Sequence, residues 1–333
     1  MLLRLMALDT LALVASVMVP LGILLRAGDT ATRLAPPLPG PALDAAAWSS
    51  ITAGEVRRSR IAGALATGSV VFLIALHWAP LNITDWYLWS FLVPVVTTNL
   101  WLAALFLRPR ATPVLPAGAT RPLDLSPRTI WSFGQRWWFV GWLAVIVLLV
   151  GTVITAGLIS SPDENGNRTV LTISVGSVSA SSSFLGWFYG VPLLLGVTGL
   201  IVLTVLALRA TAQPPLAPAP DARALDVLLR RVRTRSILAL SAGAAFVTLG
   251  LAWKLLGLAA RMRAGGLTDT LGQVDVGTTF AAFATPFWAA GYLAEGLGIA
   301  LLLSTLFART PRFAAADPIV TPARGAVTSD TSA

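Results

Sequence analysis

The chain has 333 residues, 56% of them hydrophobic and only 12% charged, with a mean hydropathy of +0.76. A soluble domain carries roughly 25% charged residues, so lipid must solvate much of this surface. The absence of cysteine excludes disulfides, thiolate metal sites and a cysteine nucleophile, and a single histidine, His77, excludes a multi-histidine metal centre.

The net charge of +9 sits at the ends of apolar segments rather than in one basic stripe, which points to membrane threading and away from nucleic acid. A span needs about 20 mostly apolar residues to cross a ~30 Å hydrocarbon core at 1.5 Å per residue. That rule predicts an all-α polytopic transmembrane helix bundle of about seven spans over residues 1–312, with spans near 5–25, 61–80, 87–107, 138–159, 185–208, 236–258 and 286–307, followed by a disordered cytoplasmic tail at 313–333.

In the first span, Arg4 precedes an apolar run as in a secretory signal. No A-x-A-like site precedes Arg26 and Asp9 interrupts the run, so a retained span is the expectation. The second ends at His77, Trp78 and Pro80. In the third, Pro94 is expected to free the carbonyl of Ser90 and kink the helix beside Thr97, Thr98 and Asn99. Polar groups at a broken helix form the substrate sites of many transporters, whereas a simple proline kink is a common structural feature.

The connections before the second, fourth and sixth spans are rich in proline, as in Pro36, Pro37, Pro39 and Pro41, and have no apolar face on which a soluble domain would build. After the fourth span, Asp163-Glu164-Asn165 reads as a solvated turn before Gly166 or as a weak cation site. Residues 168–179 then alternate apolar and polar side chains, which predicts a small β element. The segment 265–279, with Asp269, Gln273 and Asp275, either packs beside it as part of a lid or is an unstructured linker.

Arginine distribution orients the spans. Segments 26–60, 108–136, 209–235 and 308–333 carry 5, 5, 6 and 3 of the basic residues, and the opposite connections hold only Arg4, Arg168, Arg261 and Arg263. The positive-inside rule therefore places the N-terminus outside and the C-terminus in the cytoplasm of a plasma (inner) membrane. Tryptophans agree, with Trp78, Trp86, Trp89, Trp187, Trp253 and Trp288 at the outer boundary and Trp131, Trp137 and Trp138 at the inner one.

Asp9, His77, Lys254 and Glu295 are the ionisable residues within these spans, and such residues are costly enough to be functional candidates. The first three lie near the outer edge, within reach of snorkelling. Glu295 lies roughly 13 Å deep, so it must pair or be neutral. Lys254, between Gly250 and Gly257 on the preceding span, is the natural partner, and the pair reads either as structural or as a transport site. Arg230, Arg231, Arg233 and Arg235 precede the sixth span and are expected to meet anionic lipid headgroups. Walker A, G-x-S-x-G and H-E-x-x-H signatures are absent, and no cofactor is implied.

The stretch Arg121-Pro122-Leu123-Asp124-Leu125-Ser126-Pro127-Arg128, after the exit Arg108-Pro109-Arg110, resembles a group of actinobacterial multispanning membrane proteins of unknown activity. So does Asp221 to Arg235, with Asp226 and an arginine pair leading into a helix. The resemblance implies a seven-helix plasma-membrane protein and carries no functional residues with it. The leading expectation is a non-catalytic structural or accessory membrane component, with a membrane protein as partner. The alternative is a small-solute or proton-coupled transporter with Glu295, Lys254 and the third helix in its path.

Overall fold

The computed structural model describes residues 14–24, 45–78, 89–107, 131, 133–175, 178–212, 223–268 and 272–307. Seven helices lie within them: α1 (Val14–Leu24), α2 (Ala45–Trp78), α3 (Leu92–Trp101), α4 (Arg136–Ile159), α5 (Trp187–Ala212), α6 (Arg223–Ala260) and α7 (Ala284–Leu306). α3 continues into a π-helical turn, Leu102–Phe106, and a 3₁₀ turn, Ala281–Phe283, leads into α7. Strands β1 (Ser161–Pro162), β2 (Arg168–Val175) and β3 (Val178–Ser183) form an antiparallel sheet in the order β1-β2-β3, and β4 (Arg263–Thr268) pairs with β5 (Gly272–Gly277).

Contacts between helices fix their directions. Leu24 at the end of α1, Phe106 after α3 and Thr211 at the end of α5 all meet the arginine-bearing first third of α6. Glu55 and Ser59 of α2 reach the same level, and Gly63 of α2 packs on Thr305 and Leu306 at the end of α7. Helices α1, α3, α5 and α7 therefore run towards one end, here the arginine end, while α2, α4 and α6 run away from it. Both sheets lie at the other end, where β2 and β3 pack against the β4–β5 hairpin.

Four segments are long and apolar enough to cross a bilayer: Arg136–Ile159, Trp187–Ala212, Asp226–Ala260 and Ala281–Leu306. The most apolar two, in α4 and α5, are the least buried, with 39% and 33% of their apolar windows inside the protein, against 83% for α6. Val140, Leu143, Val147 and Leu158 of α4 and Val191, Leu195 and Val202 of α5 face outward. This inverts the pattern of a soluble bundle, in which apolar surface turns inward.

α6 and α7 make the closest helix pair. Gly243, Gly250 and Gly257 recur every seven residues on α6 and meet a facing track of Gly291 and Gly298 on α7. A Cβ on Gly250 would stand 2.6 Å from the amide nitrogen of Glu295 and the carbonyl oxygen of Gly291, so only glycine allows the two backbones to approach this closely. Elsewhere the core is tied by short polar links. Trp142 Nε1 of α4 and Thr204 Oγ1 of α5 both donate to Ser241 Oγ of α6, at 2.8 and 2.9 Å.

Several boundaries differ from those read from apolar length. α2 begins at Ala45 rather than 61, and α6 at Arg223 rather than 236. Both continue as helix through charged residues that a hydrocarbon-length criterion assigns to loops. Their inward positions keep helical spacing, as at Glu55, Ser59, Ala62, Ala66 and Val70 of α2. α3 begins at Leu92, so Pro94 sits in its first turn, where no intrahelical donor is missing, and Val93 N–H donates to Ser90 O at 3.3 Å. The helical path is interrupted just before it, by a turn at Ser90 and Phe91 between helical Trp89 and Leu92, and a second irregularity, the π-helical turn, comes at Leu102–Phe106. The expected β element at 168–179 is two strands, β2 and the start of β3, and most of 265–279 forms the β4–β5 hairpin beside them. Asp9, Asp269, the proline-rich connections and the 313–333 tail lie outside the described residues, as does the side chain of His77.

Candidate functional site

Lys254 stands within two turns of the sheet end of α6 and Glu295 about three turns from that of α7, and the glycine contact lets them meet. A Cβ on Gly250 would crowd the Cβ of Glu295 at 2.8 Å, and one on Gly291 would crowd the Cγ of Lys254 at 2.7 Å. Lys254 Nζ donates to Glu295 Oε2 at 2.5 Å and lies 4.9 Å from the centre of the Tyr292 ring. The Glu295 side chain is buried, whereas that of Lys254 keeps 20% of its surface exposed. A charge-assisted bond with a ring beneath the ammonium satisfies both groups, and the lysine is the exposed side of the pair.

Thr97, Thr98 and Asn99 do not join this pair through any described hydrogen bond. Successive helical residues point about 100° apart, and these three serve different neighbours. Thr97 Oγ1 donates to Val93 O at 2.6 Å and lies 3.1 Å from Ser69 Oγ of α2. Thr98 is buried. Asn99 Nδ2 donates to Gly196 O of α5 at 2.9 Å, while its Oδ1 is buried without a described partner. The first and third are helix-to-helix ties.

A second constellation lies at the arginine end. Arg230, Arg233 and Arg235 project from α6 in different directions, and each donates to the last turn of a different helix. Arg230 Nη1 reaches Thr211 O of α5 at 2.5 Å, Arg233 Nη2 reaches Phe106 O after α3, and Arg235 Nη2 reaches Leu24 O of α1 at 3.1 Å. Each guanidinium also lies over an aromatic ring, Phe133, Phe106 and Trp138 respectively, at 5.1 to 5.6 Å. Carboxylates balance the two buried ones: Asp226 Oδ2 accepts from Arg230 Nε at 2.7 Å, and Glu55 Oε1 from Arg233 Nη1 at 3.1 Å.

The chemistry suits the position. The last carbonyls of a helix have no intrahelical donors and carry the negative end of its dipole, so a guanidinium there satisfies both needs. This hub was missed because Arg230 to Arg235 were read as a loop facing lipid. Arg230 and Arg233 instead lie inside the protein, and only Arg231 of the four is exposed. One signal was available: Asp226 and Arg230 are four apart and Arg233 follows at three, the spacing of a single helix face with an ion pair on it.

The Asp163 turn is fully occupied. Oδ1 accepts from the amides of Asn165 and Asn167 at 2.9 and 2.8 Å, and Oδ2 from Thr169 Oγ1 at 2.7 Å, while Gly166 takes the positive φ of 80° that closes the turn. The Thr169 hydroxyl foremost, opposed by desolvation and helped by the Asn167 and Asn165 amides, holds the Asp163 carboxyl below its ordinary value. Among the described residues there is no group of three or more His, Asp or Glu side chains placed to hold a metal ion. No family model, curated protein or solved structure matches the chain.

Proposed function

We propose that the chain is a seven-span integral protein of the plasma membrane, N-terminus outside and C-terminus in the cytoplasm, acting without catalysis as a structural or accessory component alongside other membrane proteins. The observation that carries this reading is that the buried charges of the helical body are each bonded to other groups of the protein, most of them across helices. Lys254 joins Glu295, Arg230 joins Asp226 and α5, and Arg233 joins Glu55 and the end of α3. Intramembrane charges satisfied in this way act as ties between spans. The outward-facing apolar side chains of α4 and α5 support the bilayer as solvent, and the four long apolar segments support threading through it.

One observation favours transport as a second reading. Lys254 retains exposure while Glu295 is buried, so parting the pair opens a carboxylate near the middle of α7. Reconstitution into vesicles separates the two readings. The structural reading expects no proton or small-solute flux above protein-free vesicles under an imposed pH gradient. A pH-dependent flux abolished by Glu295→Gln would establish transport instead.

A further inference from the structure

We propose that Arg57, Arg136, Arg209 and Arg231 form a belt that binds the phosphates of anionic phospholipid headgroups around the arginine end; this rests on the membrane reading above. All four side chains are exposed, and among the described residues no carboxylate pairs with any of them. The carboxylates of Glu55 and Asp226 at this level are engaged by Arg233 and Arg230. The outward charge of this end is therefore uncompensated by the described protein.

Position adds a second, independent argument. With α6 as a ruler, Glu55 meets Arg233 and Ser59 meets Ser236, which sets Arg57 between those levels. Thr211 meets Arg230, with Arg209 on the same final turn of α5, and Trp138 lies against Arg235, with Arg136 half a turn before it on α4. The four arginines, carried by four helices, thus share a layer roughly 10 Å thick at 1.5 Å per residue. Exposed Trp137 adjoins Arg136 in that layer. At the other end, Trp253 bonds Thr152 and Trp288 packs on Gly257, roughly 30–35 Å along α6 from Arg233. That separation matches a hydrocarbon core with the arginines at one headgroup plane and tryptophans at both. A layer of exposed guanidinium groups at that plane complements lipid phosphates.

The belt also relocates the headgroup contact expected near Arg230, Arg231, Arg233 and Arg235. Of these, Arg231 alone belongs to it. Among the described residues none of the four belt arginines ties one helix to another, so their charge is removable without breaking a described core contact.

The test compares nanodiscs of phosphatidylcholine with nanodiscs containing phosphatidylglycerol, reading thermal unfolding and lipid retention by native mass spectrometry. Wild type is expected to unfold at higher temperature with phosphatidylglycerol and to retain it, with roughly fivefold weaker headgroup binding for each arginine removed. The variant R57Q/R136Q/R209Q/R231Q should lose the phosphatidylglycerol preference while unfolding as wild type in phosphatidylcholine. Should it fail to fold, the pairs R57Q/R231Q and R136Q/R209Q are read the same way, each losing about half of the preference. Equal behaviour of wild type in the two lipids, or an undiminished preference in the variants, overturns the belt and leaves the membrane reading standing. Binding of soluble polyglutamate without any lipid preference overturns it in favour of an acidic protein partner. A chain that stays dispersed and folded in buffer without detergent sinks the membrane reading itself.

Discussion

Arg233 shows how much a single side chain holds here, since its guanidinium meets Glu55, the Phe106 carbonyl and the Phe106 ring at once. Arg233→Met leaves a buried carboxylate and a buried carbonyl short of a donor, and the expected loss is about 3–5 kcal/mol in detergent unfolding. Adding Glu55→Gln should recover part of it. For Lys254 and Glu295, a double-mutant cycle with Lys254→Met and Glu295→Gln should give a coupling of about 1–3 kcal/mol, and zero coupling would remove the pair from the account of stability. The pairing was legible because both residues sit in apolar runs beside glycines. The hub was not, because an arginine at a helix end looks the same in sequence whether it faces water, lipid or another helix's carbonyls.

Asp163 gives a pH signature. Its folded value is depressed below the ordinary 3.8, so the turn is stabilised above that pH and loses this contribution as pH falls through the lowered value. Exchange of the Asn165 and Asn167 amides should quicken across that acid window, beyond the intrinsic pH dependence, and Asp163→Asn should abolish the excess.

At the scale of elements, the α6–α7 contact depends on positions that admit no side chain. Gly250→Ala places a Cβ against Glu295 and Gly291 backbone, and the folded yield should fall sharply in size-exclusion chromatography. Gly141→Ala and Gly151→Ala on α4 meet open space, and each should be neutral or stabilising by about 0.5–1 kcal/mol. The existence of α4, α5 and α7 could be read directly from uninterrupted apolar length. Where α2 and α6 begin could not, because hydrophobicity reports the thickness of the solvent layer, not the length of the helix; α6 continues through the arginines that α1, α3 and α5 need, and α2 through the Glu55 that pairs with one of them. Pro94 marked an irregular stretch, but its form, a turn at Ser90–Phe91 and a fresh helix start at Leu92 instead of a bend within one helix, depends on where the helix begins, which residues 87–93 do not reveal.

For the whole molecule, threading is testable because the chain has no native cysteine. Single cysteines at Asn165, in the turn between β1 and β2, and at Gly265, in β4, both exposed, should react with an impermeant thiol reagent added outside intact cells. One at Gly54, exposed on α2 at the arginine end, should react only after permeabilisation. The reverse pattern would invert the orientation while leaving the fold intact.

The hub has a consequence for biogenesis. During synthesis α1, α3 and α5 emerge before the helix that caps them, so their final carbonyls wait until residues 230–235 have been made. A chain halted at Ala212 should therefore be degraded quickly in pulse-chase labelling, while one halted after Ala260 should persist longer, although it lacks α7. Quality control of the nascent protein would then turn on three guanidinium groups arriving late from the ribosome.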